Sequence, residues 1–303
     1  MRARWGFFAG LLALSCRWGP DVVELEPLEP VLDPGDAHGV VADWRAPSWG
    51  RLYREAYDYR RARYVPLTFW SEYAVRRFLE GEEVRQSALA SAWAVFYRDP
   101  ARPLETIAAG QVEVDRFALA QHRGANFVYY ERAEGPSGEF AQTFWGRPNR
   151  WTLSGDGSGL GPDTLPGPPA PGAVPRLLNP DLEPGQRVTL GRDWRLWWQA
   201  PPRVVQQDTL WLVFEVWDGL TARLLERTLW ACFPDDGYTS LPTEPLRAWR
   251  ERVRARWPEG RQELELRLEL VRQRLLSGSV RGYGPVWAGT AARYRLESLR
   301  LVP

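Results

Sequence analysis

The chain has 303 residues, 39 basic and 38 acidic, and a formal net charge of +1. That balance sets up no strong field for nucleic acid or an acidic substrate, no basic patch interleaved with aromatics stands out, and no nucleic-acid partner is expected. All 39 basic residues are arginine, read as codon bias in a GC-rich genome, and the 17 tryptophans are explained first by packing in sheets.

Residues 1–16 read MRARWGFFAGLLALSC. Arg2 and Arg4 precede an uncharged run from Trp5 to Leu14 that is shorter than the roughly 20 residues of a spanning helix. It has the length and flanks of a secretory signal. Leu12-Ala13-Leu14-Ser15-Cys16 resembles the lipobox of bacterial lipoproteins, with Ala13 where leucine is commonest. The resemblance implies a signal peptide over 1–15, cleavage before Cys16, and a diacylglyceryl and palmitate anchor on the Cys16 thiol. Two or more acyl chains hold a protein on a membrane where one does not. It also implies export to the cell envelope, and Arg17 after the cysteine leans toward the outer membrane. A plain cleaved signal and a short N-terminal anchor are the other readings of these residues. Cleavage would leave 288 residues and, with Arg2 and Arg4 gone, a charge of −1.

Residues 16–47 are acidic, with Pro20, Pro27, Pro30 and Pro34, and are expected to form an extended, disordered tether. A first β-rich domain is expected over 48–155. Within it, Trp70, Tyr73, Ala74 and Phe78 fall at helical spacing, so a short helix is predicted over Phe69–Gly81. From Ser87 the pattern turns to β. Trp93, Val95 and Tyr97 alternate, Gln111–Phe117 is a further strand, and Asn126–Arg132 and Glu139–Trp145 read as a hairpin. Trp151–Leu153 is one more short strand. Residues 156–184 hold eight prolines and five glycines and are read as a linker without an element of its own.

The second domain, 185–303, is expected to be a β-sandwich. Trp194, Leu196 and Trp198 alternate. Thr209–Trp217 and Ala222–Phe233 form a hairpin across Asp218-Gly219. Leu246, Trp249, Val253 and Trp257 make one stripe of a helix over Pro245–Trp257. Glu263–Leu270 (ELELRLEL) reads as a strand with one wet face, and Arg293–Leu301 repeats that alternation. The expected fold is therefore mainly β: two β-rich, sandwich-like domains with a few short helices and a Pro/Gly-rich linker.

The segments DWRLWWQAPP (193–202) and CFPDDGYTSLP (232–242) carry a second resemblance, to a class of predicted bacterial lipoproteins with an Ig-like β-sandwich domain. It implies that fold, implies no activity, and transfers no functional residue.

Chemistry-bearing motifs are sparse. The only histidines are His38 and His122, and HExxH, GxSxG, P-loop and GxGxxG patterns do not occur. Cys232 sits in the apolar run LWACF and is read as a buried thiol, with pairing to His122 a remote alternative. The loop Asp156–Asp163 offers oxygens as calcium loops do, yet lacks their later bidentate acid, and Asp235-Asp236-Gly237 reads as a turn. No catalytic residue, cofactor or metal ligand is assigned. Trp211, Trp217, Trp230 and Trp287 are candidates for stacking on sugar rings, against the plainer reading of core packing. The role expected is non-enzymatic, a structural or interaction function with an envelope protein. A carbohydrate-binding module is second, and a hydrolase using two carboxylates third.

Overall fold

Alternating and aromatic-rich segments make this chain mainly β in the computed structural model. It describes residues 21–25, 55–58, 63–66, 68–99, 102–124, 128–145, 148–156, 160–202, 209–233, 235–241 and 243–303. In chain order the first strands are β1 (Asp21–Leu25), β2 (Glu55–Asp58), β3 (Arg63–Pro66), β4 (Phe69–Glu80), β5 (Glu83–Ala94), β6 (Tyr97–Asp99) and β7 (Arg102–Thr106). Next come β8 (Val112–Val114), β9 (Phe117–Ala118), β10 (Ala120–Arg123), β11 (Val128–Glu134), helix α1 (Glu139–Thr143), β12 (Pro148–Leu153) and β13 (Asp163–Pro169). The remainder are β14 (Arg187–Thr189), β15 (Arg195–Trp197), β16 (Thr209–Asp218), β17 (Arg223–Phe233), β18 (Tyr238–Ser240), helix α2 (Thr243–Ala255), β19 (Leu264–Val280) and β20 (Gly284–Val302).

One ten-stranded sheet organises the chain, in the order β1-β17-β16-β19-β20-β4-β5-β11-β10. β20 is long enough to take two parallel neighbours on one edge, β4 along Ala288–Leu296 and β14 along Arg300–Val302. Near its end Ser298 adopts φ +64°, and the pairing with β19 shifts between Leu266 and Leu268. This bulge changes the side-chain phase, so Tyr294 and Leu296 before it and Leu299 and Leu301 after it all reach the same core.

Two apolar cores lie against one face of this sheet. Phe69 opposes Ala288 and Val75 opposes Tyr294, and residues two apart share a face. Phe69 and Ala288 belong to one core, with β8, β9, β12, β13 and α1 as its cover, and Ala90, Ala92 and Ala94 give that cover room to approach. Val75 and Tyr294 belong to the other, covered by α2, β14 and β15. A polar seam divides them. Ser71 Oγ lies 3.2 Å from Thr290 Oγ1, Asn149 donates to Ser71, and Thr290 donates to the Pro168 carbonyl at 3.0 Å.

Several expectations are corrected. Phe69–Glu80 is strand β4, not a helix. Apolar residues occupy both of its faces, Phe69 and Val75 on one and Trp70 and Ala74 on the other, which blurs a two-residue period into an apparent helical one. Gly81 (φ +64°) opens the turn into β5 instead of ending a helix. The partner strand expected over Glu139–Trp145 is helix α1, because Phe140, Ala141 and Phe144 bury at helical spacing and the Glu134 carboxylate accepts the Phe140 N–H at 2.9 Å. β11 pairs with β5 and β10 instead. The 156–184 stretch contains β13, hydrogen-bonded to β12, with Leu160, Leu165 and Leu182 buried. Its prolines are tolerated because β13 is an edge strand. The sheet takes strands from both 48–155 and 185–303, so no boundary at 156–184 divides it. Within the 16–47 segment, Asp21–Leu25 is a strand paired with β17. The charged face expected to be wet on β19 is largely covered: Glu269 is buried, and Glu265 and Arg267 are half-buried. Residues 1–16, which carry the expected signal peptide and the resemblance to a lipobox, lie outside the described residues.

Helix α2 seats Leu246, Trp249 and Val253 in the core of Val75 and Tyr294, and Trp249 meets Phe214, Trp230 and Trp194 at 5.4, 6.3 and 6.4 Å. Trp249→Ala is expected to cost about 3–5 kcal/mol. Trp197→Ala, at an exposed position, should stay within about 0.5 kcal/mol of the parent in urea unfolding.

Candidate functional site

Leu264, Leu266, Leu268 and Leu270 line one face of β19, and the next residue on that face is Arg272. A guanidinium on an apolar stripe must find partners or leave the core. Arg272 is fully buried and finds them all. It pairs with Asp235 through Nε and, at 3.1 Å, through Nη2, and it donates to the carbonyls of Ala173 (2.6 Å) and Gln199 (2.9 Å). The indole N–H of buried Trp198 donates to Asp235 at 2.7 Å. Gly237, at φ +95°, returns its carbonyl to the Trp198 N–H at 2.9 Å, and a Cβ there would press on the Trp198 carbonyl at 3.0 Å. One side chain thus joins the sheet to the loop before β14, the end of β15 and the turn before β18.

The cluster holds a two-stranded ribbon of β15 and β18 over the core. Arg195 pairs with Ser240, Leu196 with Thr239 and Trp197 with Tyr238. Leu196 and Thr239 are buried, so the outward face carries Arg195, Trp197, Tyr238 and Ser240. The Trp197 and Tyr238 rings lie 5.4 Å apart at 39°, and Trp197 is 42% exposed. Leu178, 59% exposed, donates its N–H to the Trp197 carbonyl at 2.7 Å. Buried Asn179 steadies the strand from the other edge, accepting from the Trp197 N–H at 2.9 Å and donating to the Arg195 carbonyl at 2.8 Å. An amphipathic aromatic pair on a rigid support is a surface suited to contact with a sugar ring or a partner protein.

The reverse face of the sheet is bound by charge. Arg227 donates to Glu215 at 2.6 and 2.9 Å, Arg295 reaches Glu215 at 3.0 Å and Glu297 at 2.7 Å, and Arg76 donates to Glu297 at 2.7 Å. Arg293 lies between Glu72, at 3.1 Å, and Glu269. Trp70 donates to Glu72 at 2.8 Å and Trp217 to Glu215 at 3.0 Å. Burial pushes the Glu215 carboxyl upward, but Arg227 and Arg295 outweigh it and hold the group down at about 2. At Glu269 burial wins over Arg293 and Arg295, and the carboxyl is pushed up. A carboxylate locked to two guanidiniums stays ionised and makes a poor general acid. Among the described residues, no group of three or more histidine, cysteine, aspartate or glutamate side chains is gathered as metal ligands would be.

The structure separates the residues singled out by sequence. Trp211 and Trp230 are buried and Trp217 and Trp287 are half-buried, so these four do not form one exposed platform. His122 stacks on Tyr129 at 4.6 Å on edge strand β10. Cys232 lies opposite Val22 and Leu210, with six strands between it and His122, which rules out a catalytic pair. Asp163 accepts the backbone N–H groups of Thr164 and Arg281 at 2.7 and 2.8 Å, so its oxygens serve the chain itself. Asp235 belongs to the Arg272 cluster, and Asp236 accepts the Tyr238 N–H at 3.2 Å, as a turn aspartate does. Cys16 and His38 lie outside the described residues. Sequence reasoning missed Arg272 and Trp197, although each left a signal: an arginine continuing a leucine stripe, and a tryptophan out of phase with Trp194, Leu196 and Trp198.

No protein-family model matches the chain, and no curated protein matches it.

Arg272→Met strips Asp235 of its counter-charge in a dry site and is expected to cost about 3–5 kcal/mol in urea unfolding. The double variant with Asp235→Leu should recover part of that loss, since no uncompensated charge remains. Glu215 has its carboxyl depressed in the folded state, so its contribution is full above the ordinary carboxylate range and is lost as pH falls toward about 2. Glu215→Gln should be less stable at pH 7 by about 3 kcal/mol and show a flatter acid limb, measured as unfolding free energy against pH.

Proposed function

We propose that the protein is an exported lipoprotein, anchored to a cell-envelope membrane through acyl chains on Cys16, and that it works by surface contact without catalysing a reaction. The observation that carries the interaction role is the outward ribbon face of Arg195, Trp197, Tyr238 and Ser240, with Leu178 beside it. Exposed aromatic side chains on a rigid, buried support are the usual anchors of protein contacts, because they bring large area at little cost in conformational entropy. The Leu12–Cys16 lipobox supports the anchor. The favoured partner is an envelope protein.

A carbohydrate ligand is the second reading, and the same Trp197–Tyr238 pair favours it, because sugar rings stack on such faces. It moves the sugar-binding expectation from Trp211, Trp217, Trp230 and Trp287 to Trp197.

The test places a photo-crosslinking residue at Ser240, which is exposed on the ribbon face, in the full-length protein in cells. One dominant protein adduct that disappears with Trp197→Ala is the expected result. Absence of any adduct that depends on Trp197 would refute the interaction surface. Quenching of fluorescence by soluble envelope polysaccharide, lost in Trp197→Ala, would favour the sugar reading instead. For the anchor, Cys16→Ala should stop palmitate incorporation and release the protein from the membrane fraction.

A further inference from the structure

The position of β1 limits how far the body can stand from its anchor. β1 pairs with β17 from Asp21 onward, so only five Cα steps separate Cys16 from the sheet. Fully extended, they span at most about 18 Å. A tether over the whole of 16–47 would have let the body sit far from the bilayer. A docked β1 does not.

The register shows which end of the sheet the anchor approaches. Asp21 lies opposite Phe233, Cys232 lies opposite Leu210, and Thr209 lies opposite Gln273. Asp21 is therefore level with Thr209 and Gln273, and the chain before it runs toward the end where β19 and β20 turn. Beyond Gln273, seven further β19–β20 pairs continue, from Arg274–Thr290 to Val280–Gly284. At about 3.3 Å per residue they reach some 23 Å past the level of Asp21. Sheet twist, roughly 20–25° at each of the three steps from β1 to β19, turns this hairpin aside from the direction of β1 but leaves it at the same end. The opposite end carries the β16–β17 turn, with Leu220 80% exposed.

We propose that the β19–β20 hairpin end of the sheet rests on the lipid headgroups, with the turn Arg281–Tyr283 in contact with them and the Leu220 turn pointing away from the membrane. The inference builds on the acylated Cys16 of the preceding reading. A body whose hairpin reaches farther than its tether can extend must lie against the bilayer or tilt along it, and in both cases the hairpin is at the surface. Its chemistry suits that place. Arg281 is exposed and offers a guanidinium to headgroup phosphates, Leu276 is 39% exposed, and Trp287 is half-buried, an amphipathic ring at home in the interface.

The test uses full-length protein made in a lipoprotein-processing bacterium and reconstituted into phosphatidylethanolamine–phosphatidylglycerol vesicles containing a nitroxide-headgroup lipid. In a Cys232→Ser background, a bimane label is attached at Arg281→Cys, at Ser279→Cys or at Leu220→Cys, all exposed positions. The expected result is several-fold stronger quenching at 281 and 279 than at 220. Ser279 guards against a fault peculiar to the turn. Equal quenching at the two ends, or stronger quenching at 220, would overturn the orientation. Intact mass of the same sample separates the two claims. An acylated protein with no end preference defeats the orientation alone, whereas a protein without the acyl mass defeats the anchor and the orientation with it.

Discussion

The buried Arg272–Asp235 pair is the constraint on which the covering layer of this protein depends. Its physics is unforgiving. A guanidinium out of water is tolerable only when its donors are used, and here Nε, Nη1 and Nη2 all have acceptors. Because those acceptors come from the loop before β14, the end of β15 and the turn before β18, satisfying one side chain fixes three backbone segments against β19. Trp198 completes the cluster with its own N–H on Asp235. The exposed ribbon takes its rigidity from this cluster and from Asn179, so the surface proposed for binding is a consequence of a charge placed in the core.

The reverse face of the sheet follows the same logic on a larger scale. Arg227, Glu215, Arg295, Glu297 and Arg76 link β17, β16, β20 and β4, with the Arg295–Glu215 pair reaching across β19, and Arg293 joins β4 to β19 through Glu72 and Glu269. Apolar residues would have covered this face with less desolvation cost, but a leucine surface tolerates sliding. Charged partners two residues apart fix register, since a slip of one position would set each arginine on the wrong face. The opposite shifts of Glu215 and Glu269 show the balance: two guanidiniums outweigh burial at the first, and burial outweighs them at the second.

Much of the strand content was legible. The β16–β17 hairpin was readable from Asp218-Gly219 between two apolar runs, the helix from Leu246, Trp249 and Val253 at helical spacing, and β19 from leucine alternating with charge. Reading failed where no such local signal marks the element. β4 is buried on both faces, so Trp70 and Tyr73 mimic a helical stripe. The proline-rich stretch around β13 has the composition of a linker, yet an edge strand has no need of every N–H. For the candidate site, a turn at Asp235–Gly237 was foreseen but not its tie to Arg272, and the exposed Trp197 was passed over for tryptophans that prove to be buried or half-buried.

The sequence by itself determined that the chain is mainly β, that its tryptophans are chiefly a packing resource, and where its clearest hairpin and its longer helix lie. These are local facts, set by periodicity, turn residues and side-chain propensity. Only the tertiary structure decided that strands from both ends of the chain share one sheet, with β20 beside β4, that the charges of β19 and β20 turn inward to one another, and that Trp197 faces out while Trp198 faces in. The reason is that burial belongs to a face, and a face exists only once distant segments have been brought side by side.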